Sequence, residues 1–388
     1  MRPVLFDRHS TRSALGTLED CISCSVTEEV NGIFECTFQY PMTGQYFEQL
    51  INYGGMVYAA HAHGTNGGYK ADFFDIYKYS APINGVVTFY AQHVSYRLSS
   101  LIVNGGWTAT SPDNLFARIA ANAVTDNEFT FTASGETFDA GEVSPIGYAN
   151  ARGLMLGREE GKTSAVQAWR CEFIFDHWNV TVKKKRGTDN GVQIRYGKNL
   201  TNIQRDKDSG GIISAVFPYW QKEGVVVTAG GVVSDSMEAG NEPWTTGNSD
   251  EQMYRNYEPY YFRPAVLQSA AIDFSDKFET QPTAAELQQA AADYMRKNST
   301  WRYDDNITID FVDLYRAPEY ADIRELEKCG VGDYVSVFYQ NLGVVSHGVE
   351  IVSATYDTLA ERYTQMQLGT IRTTLAQAII QTIGGVYK

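Results

Sequence analysis

The stretch CISCSVTEEVNGIFECTFQY, residues 21–40, decides the fold class. Two extended runs, CISCSVTEEV and IFECTFQY, flank Asn31-Gly32. Asn-Gly between such runs is a hairpin signal, because both residues accept positive φ. The device recurs further on. FFDIYKYS (73–80) is followed by Pro82-Ile83-Asn84-Gly85 and then by VVTFYAQHVSY (86–96). Residues 1–105 therefore read as mostly antiparallel β.

Composition agrees with a β-rich, folded chain. Of 388 residues, 43% are hydrophobic and 20% charged, which suits two or more domains with a sizeable core. The 25 Tyr, 19 Phe and 6 Trp favour strands and large interfaces, and 11 Pro are too few for a disordered linker. A formal charge of −14 argues against general affinity for nucleic acid, which needs a basic surface. The one basic run, Lys183-Lys184-Lys185-Arg186, ends an apparent strand before Gly187 and reads as a solvated hairpin tip. The start, MRPVLFDRHSTRS, has no apolar core of a secretory signal, and no apolar run approaches the roughly 20 residues of a membrane span. Five scattered cysteines (Cys21, Cys24, Cys36, Cys171, Cys329) suggest reduced thiols rather than a disulfide framework.

Helices interrupt the strands at three places. Ser111-Pro112-Asp113 is a helix start, with Ser as cap and Pro in the first turn, and Leu115, Ile119 and Ala120 follow at helical spacing. Thr163-Ser164 caps a short helix, AVQAW. Thr283-Ala284-Ala285-Glu286 is a capping box opening a helix that carries Leu287, Ala291 and Tyr294 on one face and stops near Asn298. Between them lie further strands: CEFIF, a DHWN turn and VTVKKK; VQIRY after Gly187–Gly191; GIISAVFPYW and EGVVVTAGGVV; then NITIDFVDL, DYVSVFYQ and GVEIVSATYD. Residues 240–265 are polar and aromatic. The last segment, IRTTLAQAIIQTI, sets Ile371, Leu375, Ala378, Ile379 and Ile383 on one side of a helix that Gly384-Gly385 stops. The fold class is α+β, mainly antiparallel β.

GREEGKTS, residues 157–164, imitates a phosphate-binding loop. The pattern G-x-x-x-x-G-K-[ST] requires its first glycine at 156, which is Leu156, and Gly157 comes one residue late. No strand leads into it, so it reads as a turn and a helix cap with Lys162 in solvent. Other chemistry is equally incomplete. No G-x-S-x-G elbow or H-E-x-x-H occurs. His93 reads as a hydrogen-bonded histidine at a strand end, and Cys171 as a strand residue. Cys21 and Cys24 would face opposite sides of a regular strand, and a zinc site would lack its second half. His61 and His63 share a strand face and point to solvent near a Gly-rich turn. Glu159-Glu160 and Asp304-Asp305 read as solvated loop charges. No catalytic, cofactor-binding or metal-ligating residue is assigned.

Four stretches, in order, resemble the phage minor tail protein family, also called prophage tail endopeptidase or tail-associated lysin N-terminal region. They are FFDIYKY…VVTFYAQHVSYRL (73–98), RGTDNGVQIRYGKNLTNIQRDKD (186–208), GVGDYVSVFYQNLGV (330–344) and EIVSATYDTLAERYTQMQLG (350–369). Here Gly187 and Gly191 permit a tight turn, Arg195 and Lys198 near Tyr196 suit a neighbouring acidic surface, and Gly332-Asp333 precedes a strand with Val335 and Val337 on one face.

The resemblance implies a baseplate-hub fold: a homotrimer in which two β-barrel-like domains per subunit form a hollow pseudo-sixfold ring, with mixed α/β lobes outside. Residues 1–105 would be the first barrel-like domain, and 201–234 with 301–370 the second. Residues 106–200 and 235–300 would be the peripheral lobes, and 371–388 a C-terminal helix. Such a ring caps the tail tube at the tail tip of the virion. It contacts the distal tail protein ring and the tape-measure protein and faces the host cell surface, without specific nucleic-acid binding or a membrane anchor. The alternative is a tail-associated peptidase or cell-wall hydrolase. Lys388 lies one helix past the resembling region, so a lytic domain is expected on another chain or on a further C-terminal part. A third reading, a saccharide-binding adhesin, rests on the aromatics of 240–265, among them Tyr260 and Tyr261.

Overall fold

The computed structural model describes residues 1–7, 10–52, 54–80, 85–157, 163–208, 213, 215–234, 269–275, 277–278, 280–298, 304–322, 324–339 and 344–369. Several expected features lie outside these residues. They are the 82–84 turn, Glu159-Glu160 and Gly161-Lys162 of the loop imitation, the aromatic segment 240–265, the Leu342-Gly343 turn and the C-terminal helix. The chain divides into two compact units: Met1–Gln204 with Ile307–Ile371, and Arg205–Asn306 with Arg372–Lys388.

The first unit begins with β1 (Val4–Asp7), β2 (Ser10–Thr17), β3 (Ser23–Glu29), β4 (Phe34–Pro41), helix α1 (Phe47–Asn52), β5 (Met56–His63), β6 (Tyr69–Tyr79) and β7 (Val86–His93). The quoted stretch folds as expected. Phe34, Cys36, Phe38 and Tyr40 of β4 are buried in strict alternation. Opposite them, β3 turns Cys24, Val26 and Glu28 inward. Phe38 sits in register with Phe89 of β7, and their rings stack at 5.1 Å. The turn differs in detail, since Asn31 takes a left-handed φ of 55° and Gly32 does not. The Asn31 side chain donates to the Cys171 carbonyl (2.9 Å) and accepts from Phe173 N–H (2.9 Å). The turn residue thus also holds a strand 140 positions away.

Residues 98–182 build their own core around β8 (Ile102–Asn104), α2 (Pro112–Asn122), β9 (Thr130–Thr132), β10 (Tyr148–Asn150), α3 (Ala151–Leu156), α4 (Ala165–Trp169), β11 (Glu172–Asp176) and β12 (Asn179–Lys183). Ser111 accepts from Asn114 N–H and caps α2, whose buried face is Leu115, Phe116 and Ile119, with Ala120 outside it. Ser164 and Gln167 form a reciprocal capping box on α4. Gly157, the glycine of the loop imitation, closes helix α3 in a left-handed conformation (φ 81°), so a helix stands where a phosphate loop needs a strand.

After β13 (Asp189–Arg195) and β14 (Leu200–Asp208), the second unit contributes β15 (Ala215–Lys222), β16 (Val225–Thr228), β17 (Val233–Ser234), β18 (Ser269–Asp273) and α5 (Ala284–Asn298). The Thr283–Glu286 capping box is present in both directions. Leu287, Ala290, Ala291 and Met295 of α5 bury against Val216, Trp220 and Phe274.

The chain then returns to the first unit through β19 (Asp304–Phe311), β20 (Tyr334–Tyr339), β21 (Val344–Asp357) and β22 (Arg362–Leu368). Asp304 and Asp305 open β19 instead of lying in a loop. A 13-stranded, mainly antiparallel sheet results, in the order β14-β19-β22-β21-β3-β4-β7-β6-β5-β1-β2, with β13 and β20 attached through β21. Two cores lie along it. One joins Leu5, Leu18, Phe38, Tyr40, Phe74 and Phe89. The other joins Ile194, Ile309, Val337, Tyr356, Met366 and Leu368. The expected pair of barrel-like sheets is thus one continuous ladder across the β3–β21 pairing, and among the described residues its path runs open from β2 to β14. No described helix is long and apolar enough to cross a membrane.

Candidate functional site

The inward face of β3 poses the first question. Alternation after Cys24 and Val26 places Glu28 where an apolar residue belongs, and burying a lone carboxylate costs several kcal/mol. The basic run answers it. Arg186 donates to Glu28 Oε1 at 2.5 Å, and His61 Nδ1 lies 3.6 Å from Oε2. Burial works against ionising Glu28, but the Arg186 guanidinium and His61 outweigh it and hold the carboxyl down at about 2. Next to it Lys185 bridges Glu172 (2.6 Å) and Glu350 (2.8 Å), and Arg186 N–H donates to the other Glu172 oxygen (2.9 Å). The solvated hairpin tip expected for residues 183–186 holds for Lys183 and Lys184, which are exposed, and is corrected for Lys185 and Arg186, whose charges are paired within the chain. Lys185 and Arg186 tie β3, β11 and β21 together.

Directly after this strap, two of the stretches that carried the family resemblance meet. Gly187 lies so close to Gly332 that a Cβ there would fall 2.1 Å from the Gly332 carbonyl carbon. Gly187 is thus required by close approach rather than by a left-handed turn. Thr188 N–H donates to Asp333 Oδ1 (2.8 Å), and Tyr334 N–H to the Thr188 carbonyl (3.0 Å). This zips β13 alongside β20 in parallel. Lys198 pairs with Glu327 at 2.7 Å, and Arg195 lies over the Phe338 ring, so both cations have partners within the chain.

Of the β5 histidines, His63 is buried and His61 is only partly exposed, so neither stands free in solvent. A register shift between Ala60 and Ala62 breaks the alternation, so the two do not share one exposed face. His63 Nε2 lies 2.7 Å from Asp313 Oδ2, its ring stacks on Tyr315 at 4.2 Å, and Tyr363 closes it edge-on. Asp313 also accepts from Tyr315 N–H (3.2 Å) and Tyr363 N–H (2.9 Å). The geometry resembles the histidine–carboxylate half of a catalytic triad, but the ring is enclosed by tyrosines, with only 2% of the side chain accessible. It serves as a strut between β5 and β22.

His93 ends β7, and its Nδ1 accepts from Ser95 N–H at 3.1 Å. Its Nε2 lies 3.1 Å from Asp72 Oδ2. Asp72, on the buried face of β6, also accepts from Phe73 N–H (2.7 Å) and His177 N–H (2.8 Å). Its burial raises the carboxyl, but the facing His93, His61 and the His177 amide bring it below the usual range. All five cysteines are free and buried. Cys21 precedes β3, so strand alternation does not separate it from Cys24, and both join Cys36 in one core, Cys24 Sγ lying 3.6 Å from Cys36 Sγ. Burial pushes Cys171 up to about 12, and Cys36 rises through the Cys24 contact and burial. Neither thiol is a thiolate at neutral pH, which is what nucleophilic chemistry requires.

What the site does chemically is hold. Ion pairs and buried polar contacts join the 98–182 core and the C-terminal strands to the β3–β7 strands, and the sheet they fasten defines a structural module of antiparallel β. Residues 188–379 match the family model described as prophage endopeptidase tail, which supports a place in a phage tail protein family. Its fold is similar to the crystal structure of prophage tail protein gp18 from Listeria monocytogenes EGD-e, with a TM-score of 0.58 at 12% identity over 100% of both chains. It is also similar to the 43 kDa tail protein of prophage MuSo2 from Shewanella oneidensis, with a TM-score of 0.54 at 12% identity over 95% of this chain and 97% of that one. No curated protein matches the sequence.

Proposed function

We propose that the chain is a tail-tip hub protein, three copies of which form a ring that caps the tail tube and joins it to host-facing parts. One observation carries this reading: a single protomer holds two sheet segments, each with its own buried core, joined by the β3–β21 pairing. Three protomers would supply six such segments, which is the pseudo-sixfold arrangement of a hub. Among the described residues the sheet path ends at β2 and β14, and free strand edges are what a neighbouring copy would cover. The charge of −14 suits a channel that passes DNA without retaining it. In this reading β1–β7 of residues 1–105 supply one ring segment, and the strands of 189–204 and 307–369 supply the other; residues 215–234, expected with the second segment, share a core with α5 instead. The partners in this reading are the distal tail ring and the tape-measure protein. Electron micrographs of the purified chain are expected to show closed rings with threefold or pseudo-sixfold symmetry around a central hole. Isolated single particles of one protomer would remove the proposal.

A further inference from the structure

We propose that Asp72, Asp176 and His177 form a binding site for one divalent transition-metal ion of borderline character, of which Zn²⁺ is the reference. Asp72 comes from β6, Asp176 from the end of β11, and His177 from the turn between β11 and β12. A carboxylate oxygen of each aspartate and the His177 Nδ1 all lie within 4.8 Å of one another. His177 Nδ1 is 2.8 Å from Asp176 Oδ1 and 3.8 Å from Asp72 Oδ2. Oxygen and nitrogen ligands about 2.0–2.1 Å from zinc stand about 2.9–3.4 Å apart, so the measured separations bracket the required ones. Two carboxylates and a neutral imidazole give a net charge of −2, which favours a divalent cation, and the imidazole favours zinc-like ions over Mg²⁺ or Ca²⁺.

A second, independent observation points to the same place. His93 is fully buried, its Nδ1 is committed to Ser95, and its Nε2 has no aligned hydrogen bond although it faces Asp72 Oδ2 at 3.1 Å. An imidazole behind a ligating carboxylate is the outer-shell support that orients metal ligands. The site also has an entrance. Asp72 forms the floor at 1% side-chain exposure, while His177 (40%) and Asp176 (73%) line the solvent side. Tyr58 and Phe73 rings flank His177 and limit its swing. A bound ion would cross-link the β11–β12 hairpin to β6, and so stabilise the packing of the 98–182 core on the sheet.

The test is calorimetric titration of ZnCl₂ into chelator-treated full-length protein, paired with thermal unfolding. One equivalent per chain is expected to bind with a Kd at or below about micromolar, with a rise in Tm that Mg²⁺ does not reproduce. Asp176→Asn and His177→Asn are each expected to weaken binding at least about tenfold while leaving the metal-free Tm close to that of the parent, since both side chains are accessible and Asn tolerates the left-handed backbone at 177 (φ 54°). Absence of saturable binding, or unchanged binding in either variant, overturns the proposal.

Discussion

Replacing Arg186 with alanine is expected to cost about 3–5 kcal/mol of folding stability, the largest effect of any single charged residue in the strap. The cause is the carboxylate left behind. Glu28 is buried on the inward face of β3, and Arg186 Nη2 at 2.5 Å is its main counter-charge. Glu28→Gln in the same chain is expected to recover a large part of the loss, because it removes the stranded charge. The same pair sets an acid limit. The Glu28 carboxyl titrates near its ordinary 4.5 in the unfolded chain and near about 2 when folded. A depressed folded value means that its contribution, about 3 kcal/mol, is complete above pH 4.5 and is lost as pH falls towards 2. Asp72 and Glu361, also lowered, act in the same direction; Asp333 and Glu350, raised by burial, act in the opposite one. Urea midpoints of the parent, Arg186→Ala and the double variant at pH 7 and pH 3.5 check both statements. An Arg186→Ala midpoint equal to the parent's would refute them.

Trp169→Ala is expected to cost about 3–5 kcal/mol, localised to residues 98–182. Trp169 ends α4, is fully buried in that core, and donates its Nε1–H to the Gly141 carbonyl at 3.0 Å. Trp169→Phe keeps most of the packing and loses the hydrogen bond, a deficit of about 1 kcal/mol from that bond. Because the 98–182 core is distinct from the two sheet cores, hydrogen exchange is expected to quicken at Leu115, Ile119 and Phe173 while the amides of Phe38 and Phe89 keep their protection. Uniform loss across all these amides would show one cooperative core instead.

The parts of this fold legible in the sequence are those that local chemistry dictates. Ser111 before Pro112 and Thr283 with Glu286 satisfy helix amides within three residues and lie where their patterns placed them, and of the expected Thr163-Ser164 pair it is Ser164 that caps, with Gln167 completing a box. The β3–β4 hairpin was readable for the same reason. What failed was covering. Alternation says which side chains share a face, but not what lies over that face. Lys185 and Arg186 looked solvated because their partners, Glu350 and Glu28, stand 165 and 158 positions away. His63 looked exposed because its partner Asp313 is 250 positions away, and a strand irregularity shifted its register. A usable signal was present all the same. Glu28 in the apolar register of β3, and Asp72 in front of Phe73-Phe74, are charges set where burial follows, and each implied a distant counter-charge. The β3–β21 pairing carried no comparable mark, so two sheets were expected where one continuous ladder formed.

The claim that three copies complete the structure is tested most directly by the native mass in solution. Light scattering of the purified chain at micromolar concentration is predicted to give three times the 43.3 kDa protomer. A stable single-protomer mass across that range would contradict it.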